Sequence, residues 1–179
     1  MVGRVVAWAD EMRVGLRGML RRVWAPRGVK VRQRVQLQYE WRYLFVLVDG
    51  LGGRVWWTWM QTMTSQDLLG AVGALPTQSE VAAVVWDRAP SHRALAAYDL
   101  GLPLIAQPPY APELNPVERV IEELRRVVEG KVYPTIEEKV AAVEEELRKL
   151  DAAPERVRQL AGWDWIRDAL TSLPVQYAA

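Results

Sequence analysis

At 179 residues the chain is long enough for one domain with a substantial core and too short for two large ones. Half its residues are apolar and a quarter charged, which is a globular composition, and the absence of cysteine excludes both a disulfide framework and a thiolate metal site. No apolar run approaches the ~20 residues that span a bilayer and no leader pattern opens the chain, so the expectation is a cytoplasmic protein without a membrane partner.

The net charge of +1 conceals an asymmetry, because the first sixty residues hold eleven Arg or Lys against four Asp or Glu. Eight basic residues, Arg13, Arg17, Arg21, Arg22, Arg27, Lys30, Arg32 and Arg34, follow one another with no acid between them. Such a patch suits phosphate backbones, and these eight are the expected DNA-backbone contacts. A solvated arginine-rich surface has the same composition.

In chain order, Val5 to Ala9 reads as a short apolar strand with Asp10 and Glu11 at its end. Glycines and a proline between Arg13 and Gly28 predict short strands and turns. Alternation from Gln36 to Tyr43, running into apolar Leu44 to Val48, predicts a half-buried strand. Asp49-Gly50-Leu51-Gly52-Gly53 then predicts a hairpin turn into a strand from Arg54 to Met60. Trp56, Trp57 and Trp59 in that strand suit base stacking, although strand tryptophans more often face a core. A helix capped by Thr64 or Ser65, a buried strand Val81 to Trp86 ending at Asp87, a short helix from Arg93 to Leu100 and a strand Pro103 to Ala106 follow. Asn115 as cap and Pro116 in the first turn start a helix with an apolar stripe at Val117, Val120, Ile121, Leu124 and Val128. Thr135 and Glu138 are spaced as a capping box for the next helix, a last one runs from Pro154 toward Leu170, and the tail from Pro174 frays. Antiparallel strands come first and parallel strand–helix units afterwards, so the fold class is α/β with a mixed sheet flanked by helices.

Three acids attract attention by position. Asp10 and Asp87 end predicted strands, and Glu118 opens the helix after the next strand, where α/β sheets gather ligands. Each also has a structural reading: a strand-end turn, a cap for Asp87-Arg88-Ala89-Pro90, and a capping box with Asn115. Asp87 leads into the loop with the only histidine, His92, and Glu118 follows the only asparagine, Asn115.

WADE (8–11), RRVWAPRG (21–28), VVWDRAPSH (84–92) and PPYAPELNPVER (108–119) together resemble the signature of bacterial insertion-sequence transposases related to the mariner type, over roughly Val5 to Tyr133. The resemblance implies a DDE-superfamily endonuclease with a ribonuclease-H-like fold, occupying 1–179 as one catalytic domain with 135–179 as a helical extension. It makes Asp10, Asp87 and Glu118 the catalytic, metal-binding carboxylates for Mg²⁺ or Mn²⁺, with two ions expected. Glu122, one turn beyond Glu118, is a substitute ligand or an outer-sphere group. His92 and Asn115 are outer-sphere candidates, His92 toward phosphate or metal-bound water or as loop packing, and Asn115 as the helix cap that shapes the loop. Glu11 is expected to point away from Asp10.

Relatives of that type carry helix-turn-helix modules ahead of the catalytic domain, and none is expected within these residues. The expected partners are double-stranded DNA at transposon ends and target, a second copy of the chain, and a separate helix-turn-helix polypeptide. Two other functions compete with metal-dependent cleavage and strand transfer. One is a non-catalytic DNA-binding or assembly module of the same fold, and the other a nuclease selective for RNA–DNA hybrids or junctions.

Overall fold

The computed structural model describes residues 5–18, 23–74, 81–89, 92 and 102–172. The predicted helix over 93–100, the loop 76–79, the tail from 174, and Arg21 and Arg22 lie outside the described residues. Strands β1 (Val5–Gly15), β2 (Trp41–Asp49) and β3 (Arg54–Met60) pair antiparallel in succession. On the other side of β1, β4 (Val81–Trp86) and β5 (Leu104–Ala106) add in parallel, giving the order β3-β2-β1-β4-β5. This is the expected mixed sheet.

Two strand boundaries differ from the sequence reading. β1 does not end at Asp10 but runs on to Gly15, because Met12 and Val14 continue its buried alternation and pair with Leu44 and Arg42 of β2. Its parallel pairing with β4 stops earlier, at Trp8 opposite Val85. Asp10 therefore lies just beyond the point where β1 parts from β4. The alternating stretch 36–43 is strand only from Trp41, since Leu37 (74% exposed) and Tyr39 (70%) find no core to face. Single hydrogen bonds, Leu16 N to Glu40 O (3.0 Å) and Gly18 N to Gln36 O (2.9 Å), join the two ends of the basic segment there.

The hairpin turn forms as predicted. Asp49, 3% exposed, accepts from Gly52 N (2.8 Å) and from Arg54 Nε (3.1 Å), which gives it a turn role. Gly53 has φ +74°, and a Cβ there would meet Pro154 O at 2.3 Å, so the position needs glycine twice over.

Helices cover both faces. Against one pack Leu68, Ala71 and Val72 of α1 (Ser65–Ala74), with Ala7, Ala9, Phe45, Leu47 and Trp86 beneath them. Against the other, Trp8, Met12, Val14, Leu44 and Val46 meet α2 (Val117–Val128), α3 (Ile136–Asp151), α4 (Pro154–Ala161) and α5 (Asp164–Thr171). The predicted last helix is thus two helices. They break at Gly162, where a Cβ would lie 2.6 Å from both Arg158 O and Gly50 O, and Trp163 turns extended (φ −69°, ψ 149°). Capping of α3 follows the prediction in one direction, Glu138 N donating to Thr135 Oγ1 at 3.2 Å.

The strand tryptophans serve the core. The indole nitrogens of Trp57 and Trp59 both donate to Glu144 Oε1 of α3, at 2.9 and 2.5 Å, and their rings pack on the same cluster. Lys139 Nζ ties α3 to the end of β1 by donating to Gly15 O at 2.6 Å. The stripe of α2 is buried as predicted, each of its five residues at 1% exposure or less. Leu124→Ala is expected to cost about 2–5 kcal/mol, read as a lower urea midpoint at unchanged slope.

Candidate active site

β4 and β5 deliver their carboxyl ends beside the middle of β1, and the loops that follow build the site. Asp10 is half-buried, and its carboxylate is held from two sides. Glu11 N donates to Oδ1 at 2.8 Å, and Asn115 Nδ2 donates to Oδ2 at 3.0 Å. The same Asn115 nitrogen reaches Ala9 O at 3.2 Å, while its Oδ1 accepts from Val117 N at 3.1 Å. The buried asparagine therefore both caps α2 and orients Asp10. Pro116 already has helical torsions (φ −65°, ψ −19°), which suits a proline in the first turn.

Glu118 does not close a capping box. The amide of Asn115 instead donates to Pro112 O (2.9 Å), at the end of a short 3₁₀ turn over Pro112–Leu114. The Glu118 side chain is 42% exposed, with Arg125 Nη1 at 3.8 Å. Asp10, Asp87, Asn115 and Glu118 line one cleft of about 560 Å³, closed on its other side by the loop from Gln107 to Pro112. Among the described residues no three His, Cys, Asp or Glu side chains converge on one ion position. The carboxylates share a cleft without closing on a point.

His92 lies behind this wall. It is 2% exposed, stacked on Trp86 at 4.5 Å with rings 1° from parallel, and bridges two carboxylates. Nδ1 is 2.6 Å from Asp87 Oδ1, and Nε2 is 2.8 Å from Glu11 Oε1, whose side chain is 6% exposed. Ala89 N adds a second bond to Asp87 Oδ1 at 2.8 Å. With one oxygen taken twice, Asp87 has Oδ2 without a hydrogen-bond partner among the described residues. As expected, Glu11 points away from Asp10, but it is the buried partner of His92 and no bystander.

The family described as DDE superfamily endonuclease matches residues 5–138. The chain belongs to that family. Among solved structures this DDE endonuclease is similar to the mariner Mos1 paired-end complex with Mg, at 17% identity and TM-score 0.62, over 88% of this chain and 55% of that one. A pre-cleavage Mos1 transpososome (15%, TM-score 0.61, 88% and 55%) and the Mos1 strand transfer complex (16%, 0.58, 88% and 50%) match similarly. At such identities the likeness establishes the ribonuclease-H-like fold, and the chain spans about half the length of these structures' chains. No curated protein sequence matches it.

Burial is the first reason that Asp10 of this DDE chain keeps its proton to about pH 7, and the charges of Glu118, Glu11 and Asp87 add to it against the opposing Glu11 amide bond. A partly desolvated carboxyl beside other acids, in an all-oxygen donor set, is chemistry that hard divalent cations suit. His92 is the complement. Burial opposes its charge, but Glu11 and Asp87 override that and raise it to about 9, so it is an imidazolium at neutral pH.

The other expected residues fall elsewhere. Glu122 does not line the cleft and bonds Arg119 and Arg126, both at 3.3 Å. Arg13 and Arg17 are exposed over the rings of Trp41 (4.2 Å) and Tyr39 (4.8 Å). Arg27, Lys30, Arg32 and Arg34 are exposed with no ion pair among the described residues. Sequence reasoning missed Glu11 as a partner of His92, and also Gln107. This 6%-exposed amide donates to Leu114 O at 3.0 Å and so braces the cleft loop.

Proposed function

We propose that the chain is the catalytic domain of a transposase related to mariner elements, which cuts DNA at transposon ends and joins the freed 3′-hydroxyl to target DNA. One observation carries this reading: three separate elements bring Asp10, Asp87 and Glu118 into a single cleft beyond the parallel strands of a DDE-family fold. Mos1 complexes named for paired ends, strand transfer, Mg and Mn support it by analogy. On this reading 1–179 act as one catalytic unit that includes the C-terminal helices. Its partners are duplex DNA, a second copy of the chain, and a helix-turn-helix module that recognises the ends.

The three carboxylates are the proposed ligands of two Mg²⁺ or Mn²⁺ ions. Bound there, the metal supplies the Lewis acidity that activates the attacking oxygen and offsets charge on the leaving one. The protein's own part is positional. Asn115 aims the Asp10 carboxylate, His92 orients Asp87 through Oδ1, and α2 presents Glu118 in its first turn. The exposed Arg13, Arg17, Arg27, Lys30, Arg32 and Arg34, with Arg21 and Arg22, take DNA phosphates. Water cleaves first, leaving a 3′-hydroxyl, which then attacks the target phosphodiester.

Calorimetric titration of Mn²⁺ into wild type and into folded Asp10→Ala, Asp87→Ala and Glu118→Ala tests the assignment. Binding should vanish in the two Asp variants and weaken in the Glu variant; equal binding in all four would overturn it. Because Asp10 holds its proton to about pH 7, binding at pH 6 should release close to one proton and binding at pH 8.5 almost none. Buffers of different ionisation enthalpy read that release directly.

A further inference from the structure

The cleft has a second wall, which the carboxylates do not use. Tyr110 is the one non-glycine with positive φ (+58°) among the described residues, and it is fully exposed at 101%. A β-carbon is unfavourable in that region of backbone space, so the conformation is held by its frame. Pro108, Pro109 and Pro112 restrict the loop on both sides of it, and Gln107 braces the base through Leu114 O. A stiff loop thus holds an aromatic ring in water at the mouth of the catalytic cleft. The ring makes no contact among the described residues that would explain its placement within the chain.

Arg88 stands in the same cleft, beside Asp87. Its Nε donates to Gln107 O at 2.9 Å, which anchors the guanidinium to the same braced residue. Its terminal nitrogens have no partner among the described residues. Among the described residues, both side chains are therefore fixed at the root and open at the tip. An aromatic face and a cationic fork unpaired among the described residues, lining one cleft beside carboxylates, suit the base and the phosphate of a nucleotide.

We propose that Arg88 and Tyr110 form a nucleotide subsite next to the scissile phosphate. Arg88 takes the adjoining phosphate, and Tyr110 stacks on the base of a nucleotide that has left the duplex at the cut end. A paired base has its faces covered by its neighbours, so the subsite favours a frayed or single-stranded end over a blunt one. This rests on the transposase reading for its setting, and extends it to a preference in DNA structure.

The test uses a blunt duplex and the same duplex with a three-nucleotide 3′ overhang carrying 2-aminopurine, in Ca²⁺, with gels verifying that both stay uncut. Wild type should prefer the overhang and quench the 2-aminopurine on binding. Tyr110→Ala should lose about tenfold in overhang affinity and the quenching, with little change on the blunt duplex. Tyr110→Phe should keep both. Tyr110→Gly should bind like the alanine variant yet melt at a higher temperature than wild type, because glycine accepts φ +58° without strain. Arg88→Ala should weaken both duplexes and lower the salt slope by about one. Unaltered overhang binding and quenching in Tyr110→Ala and Tyr110→Gly would overturn the subsite, even with Mn²⁺ binding at the three acids intact. If that Mn²⁺ binding is absent while the tyrosine effects hold, the subsite stands as a single-strand binding site and the transposase reading falls.

Discussion

Asp10→Asn is expected to abolish Mn²⁺-dependent nicking by well over 100-fold while making the metal-free protein more stable at pH 8. The activity loss should exceed the roughly 10–100-fold that follows removal of an outer-sphere partner, because a proposed ligand oxygen and its charge are both lost. The gain in stability follows from the direction of the pKa shift. A carboxylate raised from 3.8 to about 7 contributes stability that is fully present below pH 3.8 and lost as pH rises to 7. Forcing its ionisation in the folded state costs on the order of 4 kcal/mol at most, and asparagine avoids that cost. Part of the gain is returned, since an amide at residue 10 that accepts from Glu11 N turns its own NH₂ toward Asn115 Nδ2. A rise in Tm of several degrees at pH 8, shrinking to nothing near pH 4, is the expected pattern. An equal rise at both pH values would mean that the charge is not what strains the site.

His92→Ala is expected to be the most destabilising single change in the site. It leaves the Glu11 carboxylate, 6% exposed, without its partner, and orphaning a buried charge costs about 3–5 kcal/mol. The pH dependence has the opposite origin from that of Asp10. A histidine raised from 6.5 to about 9 contributes stability that is complete below 6.5 and is lost as pH climbs through 9. The wild-type advantage over the variant should therefore fade between about pH 6.5 and 9, within a ceiling of about 3 kcal/mol. Glu11→Gln combined with His92→Ala should be more stable than His92→Ala alone, because no orphaned charge remains. Mn²⁺ affinity should nevertheless stay 10–100-fold down in the double variant, since Asp87 has lost the bond that orients it. Recovery of stability together with full metal affinity would reduce His92 to a packing residue.

Helix α2 was legible in full, because its cap, proline and five-residue stripe are local signals that tertiary packing reinforces. The positions of Asp10, Asp87 and Glu118 were legible from motif and order, and the fold brings all three to one cleft. β1 runs past Asp10 because Met12 and Val14, with Leu16 beyond them, alternate with Arg13, Gly15 and Arg17 and are buried, a pattern that the basic residues and the glycine mask in the sequence. The stretch 36–40 erred the other way. Its alternation was genuine, but burial requires a facing layer, and no local pattern reports whether one exists. The Glu11–His92 pair joins residues 81 apart, and strand alternation said only that Glu11 faces away from Asp10, not what waits on that side.

The basic segment between β1 and β2 leaves the sheet and returns to nearly the same place. Leu16 bonds Glu40, Gly18 bonds Gln36, and the Gln36 side chain exchanges two bonds with the backbone of Tyr133, at 2.9 and 3.4 Å. A loop closed at its neck is thermodynamically separable from its host. Lengthening it costs only logarithmically, and cutting it leaves the ladder on either side intact. Trypsin should therefore nick the exposed Arg27–Arg34 region first and leave two fragments that still melt as one body. The neck thus marks a graft point, where one segment can replace another of different length or charge without disturbing the sheet on either side.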